Sequence, residues 1–161
     1  MKWLITGGSG QLGIALSKEL AANSIDYISF SKEQLDITNI NSISKIKMHS
    51  PAIIVNCAAW TNVDGAESNQ EAAFAINETG VLNVAKAARE LEVPLVHIST
   101  DYVFSGNAVS PWQTDGLREP ETIYGKSKLA GELVISDIYP EKSFVIRTAW
   151  LYSPWRKNFA K

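Results

Sequence analysis

The sequence has one cysteine, Cys57. No disulfide can close within it, and the paired thiols of zinc-binding spacings are missing. An excess of positive charge is also missing: 15 Lys and Arg stand against 17 Asp and Glu, a formal net charge of −2. That leaves no basic footprint for nucleic acid or an anionic membrane surface. No apolar run approaches the roughly 18 residues of a membrane-spanning helix. There is no repeat, low-complexity tract or internal linker. No charged-then-apolar leader precedes the strand-like KWLIT, so a reducing cytoplasm is the expected home. What is present is the composition of an ordinary globule, 45% hydrophobic and 20% charged, and residues 1–161 fit one domain able to bury a core.

Five short apolar runs recur: KWLIT (2–6), DYISF (26–30), AIIVNCA (52–58), PLVHIS (94–99) and SFVIRTAW (143–150). Most are continuously apolar rather than alternating, as in strands covered on both faces of a parallel sheet. Helical spacing lies between them, at Leu12, Ala15, Leu16 and Leu20, at Val81, Val84, Ala85, Ala88 and Leu91, and at Leu129, Ala130, Leu133 and Val134. The alternation predicts an α/β fold with a doubly wound parallel sheet. Residues 102–123 form the one long irregular connection, and Cys57 and His97 fall inside strand patterns as core residues. Asp64 and Glu67 read as solvated or capping acids, and no cluster has metal-ligand spacing.

ITGGSGQLG places Gly7, Gly10 and Gly13 directly after the first strand and at the head of a helix. Glycines there permit a tight turn and close approach of backbone to a pyrophosphate, which the helix N-terminus then attracts. A Gly-rich turn without ligand is the alternative. At the end of the second strand an NAD site carries an acid for the ribose 2′-hydroxyl; here stand Ser31 and Lys32. A hydroxyl and a cation suit a 2′-phosphate, so NADPH is expected over NADH, with Lys32 as a plain surface lysine the other reading. Thr100 and Asp101 follow the fourth strand at the sheet's carboxyl edge. Tyr124 and Lys128 stand four apart on a predicted helix and therefore share a face.

These motifs together resemble the extended short-chain dehydrogenase/reductase superfamily. Within it, GGSGQLG, NCAAWTNVDGAE, STDYVFSG, YGKSKLAGE and RTAWLY look like the dTDP-4-dehydrorhamnose reductase family, from residue 2 to the closing NFAK. The resemblance implies a Rossmann-like cofactor domain and NADPH-dependent reduction of the 4-keto group of dTDP-4-dehydro-L-rhamnose. Tyr124 would be the proton donor and Thr100 would hold the carbonyl oxygen. Lys128 would draw the phenol pKa down from about 10 and hold the nicotinamide ribose. Gln11 and Leu12 go with the glycine turn as cofactor contacts; Ala58, Ala59, Trp60 and Thr61 would line the cofactor, and Asp36 and Ile37 would meet the adenine. Asp101 and Trp150 match positions near the substrate. For Asp36 a helix cap, and for Trp150 a core position, are the competing readings.

The family's members run on past NFAK into a small substrate domain, which is absent from these residues, so cofactor binding with poor turnover is expected. In the 3-2-1-4-5-6 strand order, loss of a sixth strand would leave SFVIRTAW as an unpaired edge, and a homodimer or aggregate through that strand is expected. Two rivals remain. One is a nucleotide-sugar epimerase; a dehydratase is disfavoured because Asp101–Tyr102, rather than Asp–Glu, follows Thr100. The other is a non-catalytic, cofactor-binding regulatory subunit.

Overall fold

The structure, a computed structural model, describes residues 1–155 and 158; of the closing NFAK only Asn158 lies within them. Five parallel strands form one sheet: β1 (Trp3–Thr6), β2 (Tyr27–Phe30), β3 (Ile53–Asn56), β4 (Leu95–Thr100) and β5 (Ser143–Thr148). Helices α1 (Gln11–Ala22) and α2 (Ile40–Met48) occupy the first two connections. The third holds α3 (Val63–Ser68), α4 (Gln70–Phe74), a π-helical stretch (Ala75–Gly80) and α5 (Val81–Leu91), and α6 (Ile123–Ile138) occupies the last. The fold is the doubly wound α/β sheet that the alternation predicts, and Rossmann-like as the resemblance implies.

The strand order is β2-β1-β3-β4-β5, not the expected order. The connection from β2 to β3 contains a single nine-residue helix and crosses back over β1, so β3 pairs with the free edge of β1 in register Trp3↔Ile53 to Thr6↔Asn56. Among the described residues no strand flanks β2 on its outer side. The expectation for β5 does not depend on this point, because among the described residues β5 pairs with β4 alone. Phe144 and Ile146, on one face of β5, are 60% and 47% exposed.

The main core fills the space between the sheet and α2, α5 and α6, of which α5 packs against both others. Leu4, Ile54 and Leu95 from the strands meet Ile43 and Ile46 of α2, Val81, Val84 and Ala88 of α5, and Ile135 of α6. α1 packs on β1 and β2, and right-handed crossovers place it on the opposite face. α6 departs from its expected pattern. Its inward face is Tyr124, Ser127, Lys128, Gly131, Glu132 and Ile135, whereas Leu133 is half-exposed. The helix buries polar groups because each one finds a partner beneath it.

Candidate active site

The carboxyl ends of the strands open into a cleft of about 770 Å³, where ligands bind in open α/β sheets. One wall is the turn from β1 to α1. Gly7 has φ +67, in the left-handed region, and a Cβ there would lie 2.6 Å from Ala58 N. A Cβ on Gly13 would lie 2.5 Å from Gly7 O, so these two glycines let the turn pack against both α1 and the segment after β3. Gly10 caps α1 without a side-chain hydrogen bond, and the first turn of α1 carries no acid. The N–H groups of Gln11, Leu12 and Gly13 have no intrahelical acceptor and line the cleft. That donor set fits a diphosphate.

The opposite wall comes from β4 and α6. Thr122 caps α6 by accepting from Gly125 N at 3.0 Å, which starts the helix so that Tyr124 and Lys128 both face the cleft beside Thr100 and Asp101. Tyr124 packs edge-on against Tyr102, with ring centroids 5.6 Å apart. Burial pushes the Tyr124 phenol above its ordinary pKa; hydrogen bonding with Thr100 pulls it back, and Asp101 and Tyr102 add to the rise. The expectation that Lys128 draws the phenol down has no counterpart among these causes. Lys128 Nζ donates to Ile98 O at 2.7 Å and lies 3.4 Å from His97 Nε2. Among the described residues no hydrogen bond joins it to Tyr124. Burial lowers Lys128 to about 8, against the Glu132 and Cys57 charges that raise it.

Gly7, Gly10, Gln11, Leu12, Gly13, Lys32, Asp36, Ile37, Ala58, Ala59, Thr61, Thr100, Asp101, Tyr124, Lys128 and Trp150 all line the cleft. Ser31 and Trp60 do not. The Ser31 hydroxyl donates to Glu33 Oε2 at 2.6 Å, and the Trp60 indole donates to Asn62 O at 2.8 Å and packs beside Tyr124. The Gln11 side chain is engaged by Leu151 O and Ser153, which leaves its backbone N–H for the cleft. Asp36 accepts from Thr38 Oγ1 and Thr38 N, which with Lys32 hold its carboxyl below the usual range despite burial. Asn39, rather than Asp36, caps α2. Trp150 is not a core residue: it stands at φ +54, 70% exposed at the cleft rim.

Several residues escape the sequence reading. Glu33 lines the cleft beside Lys32, so this end of the cleft does carry a carboxylate, directly after the place where the pattern looks for it. Cys57 lies past the end of β3 on the cleft wall, and burial pushes its thiol up to about 12. Asn77, in the π-helical stretch, holds both Trp60 N (2.9 Å) and Trp60 O (3.1 Å) and donates to Ser127 Oγ at 2.9 Å. It thereby ties the segment after β3 to the helix of Tyr124. A π turn amid a helical run often marks such a site, but its position is not readable from spacing. Glu132, 1% exposed, accepts from Ser99 Oγ at 2.6 Å and pairs with Arg147 and Arg118. Glu67 accepts from Ile123 N at 2.9 Å, so it serves the start of α6 rather than the head of its own helix. No group of three or more His, Cys, Asp or Glu could hold a metal ion, and no helix is long and apolar enough to cross a membrane, among the described residues.

Comparison with known proteins agrees with this geometry. The profile of the RmlD substrate binding domain matches residues 1–161. A dTDP-4-dehydrorhamnose reductase of Streptomyces griseus is 40% identical over 159 residues, 98% of this chain and 52% of that protein. The enzyme of the same name from Salmonella typhimurium is 42% identical over 165 residues, covering 100% and 55%. A crystal structure of dTDP-4-dehydrorhamnose reductase from Bacillus anthracis in complex with NADP superposes with a TM-score of 0.94 at 42% identity, over 98% of this chain and 56% of that one. The chain thus spans about half the length of the relatives it matches. With the family profile matched from end to end, the chain belongs to the RmlD substrate binding domain family.

Proposed function

We propose that this chain is the cofactor-binding and proton-transfer part of an NADPH-dependent reductase acting on the 4-keto group of dTDP-4-dehydro-L-rhamnose, giving dTDP-L-rhamnose for surface polysaccharide. The carrying observation is the cleft that sets the N-terminus of α1 across from Thr100, Tyr124 and Lys128. The relatives' names and the NADP complex of the Bacillus anthracis enzyme support the substrate and the cofactor.

Gln11, Leu12 and Gly13 would hold the cofactor diphosphate through their N–H groups. Lys32 would meet a 2′-phosphate, whereas Glu33 is suited to a ribose hydroxyl and keeps NADH as the weaker alternative. When bound, the nicotinamide supplies hydride to the carbonyl carbon. Thr100 positions the carbonyl oxygen, and the Tyr124 phenol, kept protonated by burial, delivers the proton to it. Lys128 then stabilises the phenolate left behind. Asp101 and Trp150, on the rim, would meet the sugar. We assign residues 1–161 to a single cofactor domain, and the one-sided β5 to pairing with a second copy, which the oligomeric state reads.

The test is NADPH consumption with dTDP-4-dehydro-L-rhamnose by these residues carried at the length of their relatives, beside NADPH binding by the chain itself. Binding with turnover is expected. A tightly held cofactor without net consumption would indicate an epimerase, and binding without any turnover a regulatory subunit.

A further inference from the structure

Behind Lys128 runs a line of buried polar groups that the proton-transfer chemistry leaves without a role. Thr6 of β1, Asn56 of β3, His97 of β4 and Lys128 of α6 are 0%, 1%, 0% and 2% exposed. Thr6 Oγ1 donates to Asn56 Oδ1 at 2.5 Å, Asn56 Nδ2 lies 3.0 Å from His97 Nδ1, and His97 Nε2 lies 3.4 Å from Lys128 Nζ. The line crosses three adjacent strands, already joined by their backbone ladder, and ends on a lysine that lines the cleft. Buried side-chain networks are stable only when every donor finds an acceptor, so counting protons shows what this one does.

A neutral imidazole carries one N–H, and His97 is neutral: burial first, then the Lys128 charge, holds it well below the usual histidine range. With Asn56 Nδ2 donating to Nδ1, the imidazole proton sits on Nε2 and faces Lys128, which can accept it only as a neutral amine. With the amide turned over, Asn56 Oδ1 accepts from Nδ1–H and Thr6 accepts from Nδ2. The bare Nε2 then accepts from a Lys128 ammonium. That ammonium places a second N–H on Ile98 O and keeps its third for the cleft.

We propose that His97 is a positioning residue for Lys128, and that the His97 tautomer, set with the Asn56 amide, follows the charge of the lysine. The switch itself rests on the buried geometry; its consequence for cofactor binding rests on the function proposed above. In the ammonium state His97 and Ile98 fix two of the three N–H groups, so the one left for cofactor and phenolate has a defined direction. The titratable groups around Lys128 are His97 from β4, Cys57 from the segment after β3, and Tyr124 and Glu132 one turn away along α6. Glu132 is in turn faced by Arg147 of β5 and by Arg118 of the long connection. With Lys128 lowered to about 8, the two states exchange near neutral pH.

Imidazole 15N NMR of the chain tests this. The sequence has 2 histidines, and the other, His49, lies against Phe30. The expected result is a His97 proton on Nδ1 at low pH that moves to Nε2 with a midpoint near that of Lys128. Lys128→Met should hold a single tautomer throughout, and Asn56→Asp, an acceptor only, should keep the proton on Nδ1 to higher pH. A wild-type His97 with one tautomer across the Lys128 titration overturns the proposal. In NADPH binding, His97→Gln should weaken affinity about tenfold, the scale of one lost hydrogen bond to a charged group. Adding it to Lys128→Met should cause no further loss, and additive losses overturn the positioning role. The NMR arm needs neither cofactor nor substrate, so a tautomer switch in a chain that binds no NADPH would support the switch while removing the reductase reading.

Discussion

The two walls of the cleft are built differently. The β1–α1 wall is backbone: Gly7 and Gly13 bring main chain within contact of main chain, and the groups offered to a ligand are N–H groups at a helix end. The β4–α6 wall is side chain: Thr100, Tyr124 and Lys128 line it with Glu132 behind them, each at most 9% exposed, with partners drawn from β4, β5 and the long connection. A backbone wall binds any diphosphate and tolerates little change of shape. A side-chain wall carries the specific chemistry and holds desolvated polar groups in the core, which is destabilising unless each is satisfied.

The sharpest way to separate the walls is Tyr124→Phe. It should lower turnover by about a hundredfold to ten-thousandfold while leaving NADPH affinity unchanged, as read by steady-state kinetics beside direct binding. Next is Glu132→Ala, which strands two guanidinium groups and should destabilise the chain by about 3–5 kcal/mol in denaturant unfolding. Burial raises the Glu132 pKa, but hydrogen bonds from Arg147 and Ser99 outweigh it and the net value is lowered. Its contribution is therefore complete above the ordinary glutamate range and is lost as pH falls through the lower folded value. A stability profile lacking that acid-side loss in the variant, and showing it in the wild type, is the expected signature.

A smaller effect is expected on the backbone wall. Gly7→Ala meets both a positive φ and the Ala58 backbone; about 1–3 kcal/mol of strain and loss of NADPH binding should appear together in thermal melts and titrations. Lys32→Ala should have the least effect, weakening NADPH about two- to fivefold through one exposed charge and leaving NADH unchanged. Equal losses for both cofactors would assign the 2′-phosphate contact elsewhere.

The backbone wall was the more legible in sequence, because its determinants are contiguous: Gly7 to Gly13 sit between a strand and a helix, and each has a steric reason. Tyr124 and Lys128 were legible for the same reason, one helical turn apart. Their supports were not. Asn56 meets Thr6 across 50 residues, Ser99 meets Glu132 across 33, and Asn77 meets Ser127 across 50; local spacing holds no trace of such pairs. Strand order is not legible there, because the length of the connection after β2 does not say on which side of β1 the next strand will pair. Lys128 shares a face with Tyr124 as its spacing requires, yet its ammonium reaches down to β4 rather than along the helix, since Ile98 O offers a buried acceptor.

The central claim, that these walls grip one extended dinucleotide, is tested most directly by a crystal structure of the chain grown with NADPH. The diphosphate is predicted on the N–H groups of Gln11 and Leu12, with the nicotinamide beside Tyr124 and Lys128 and the adenosine toward Lys32 and Asp36. A cofactor bound in the reverse sense, or outside the cleft, would contradict it.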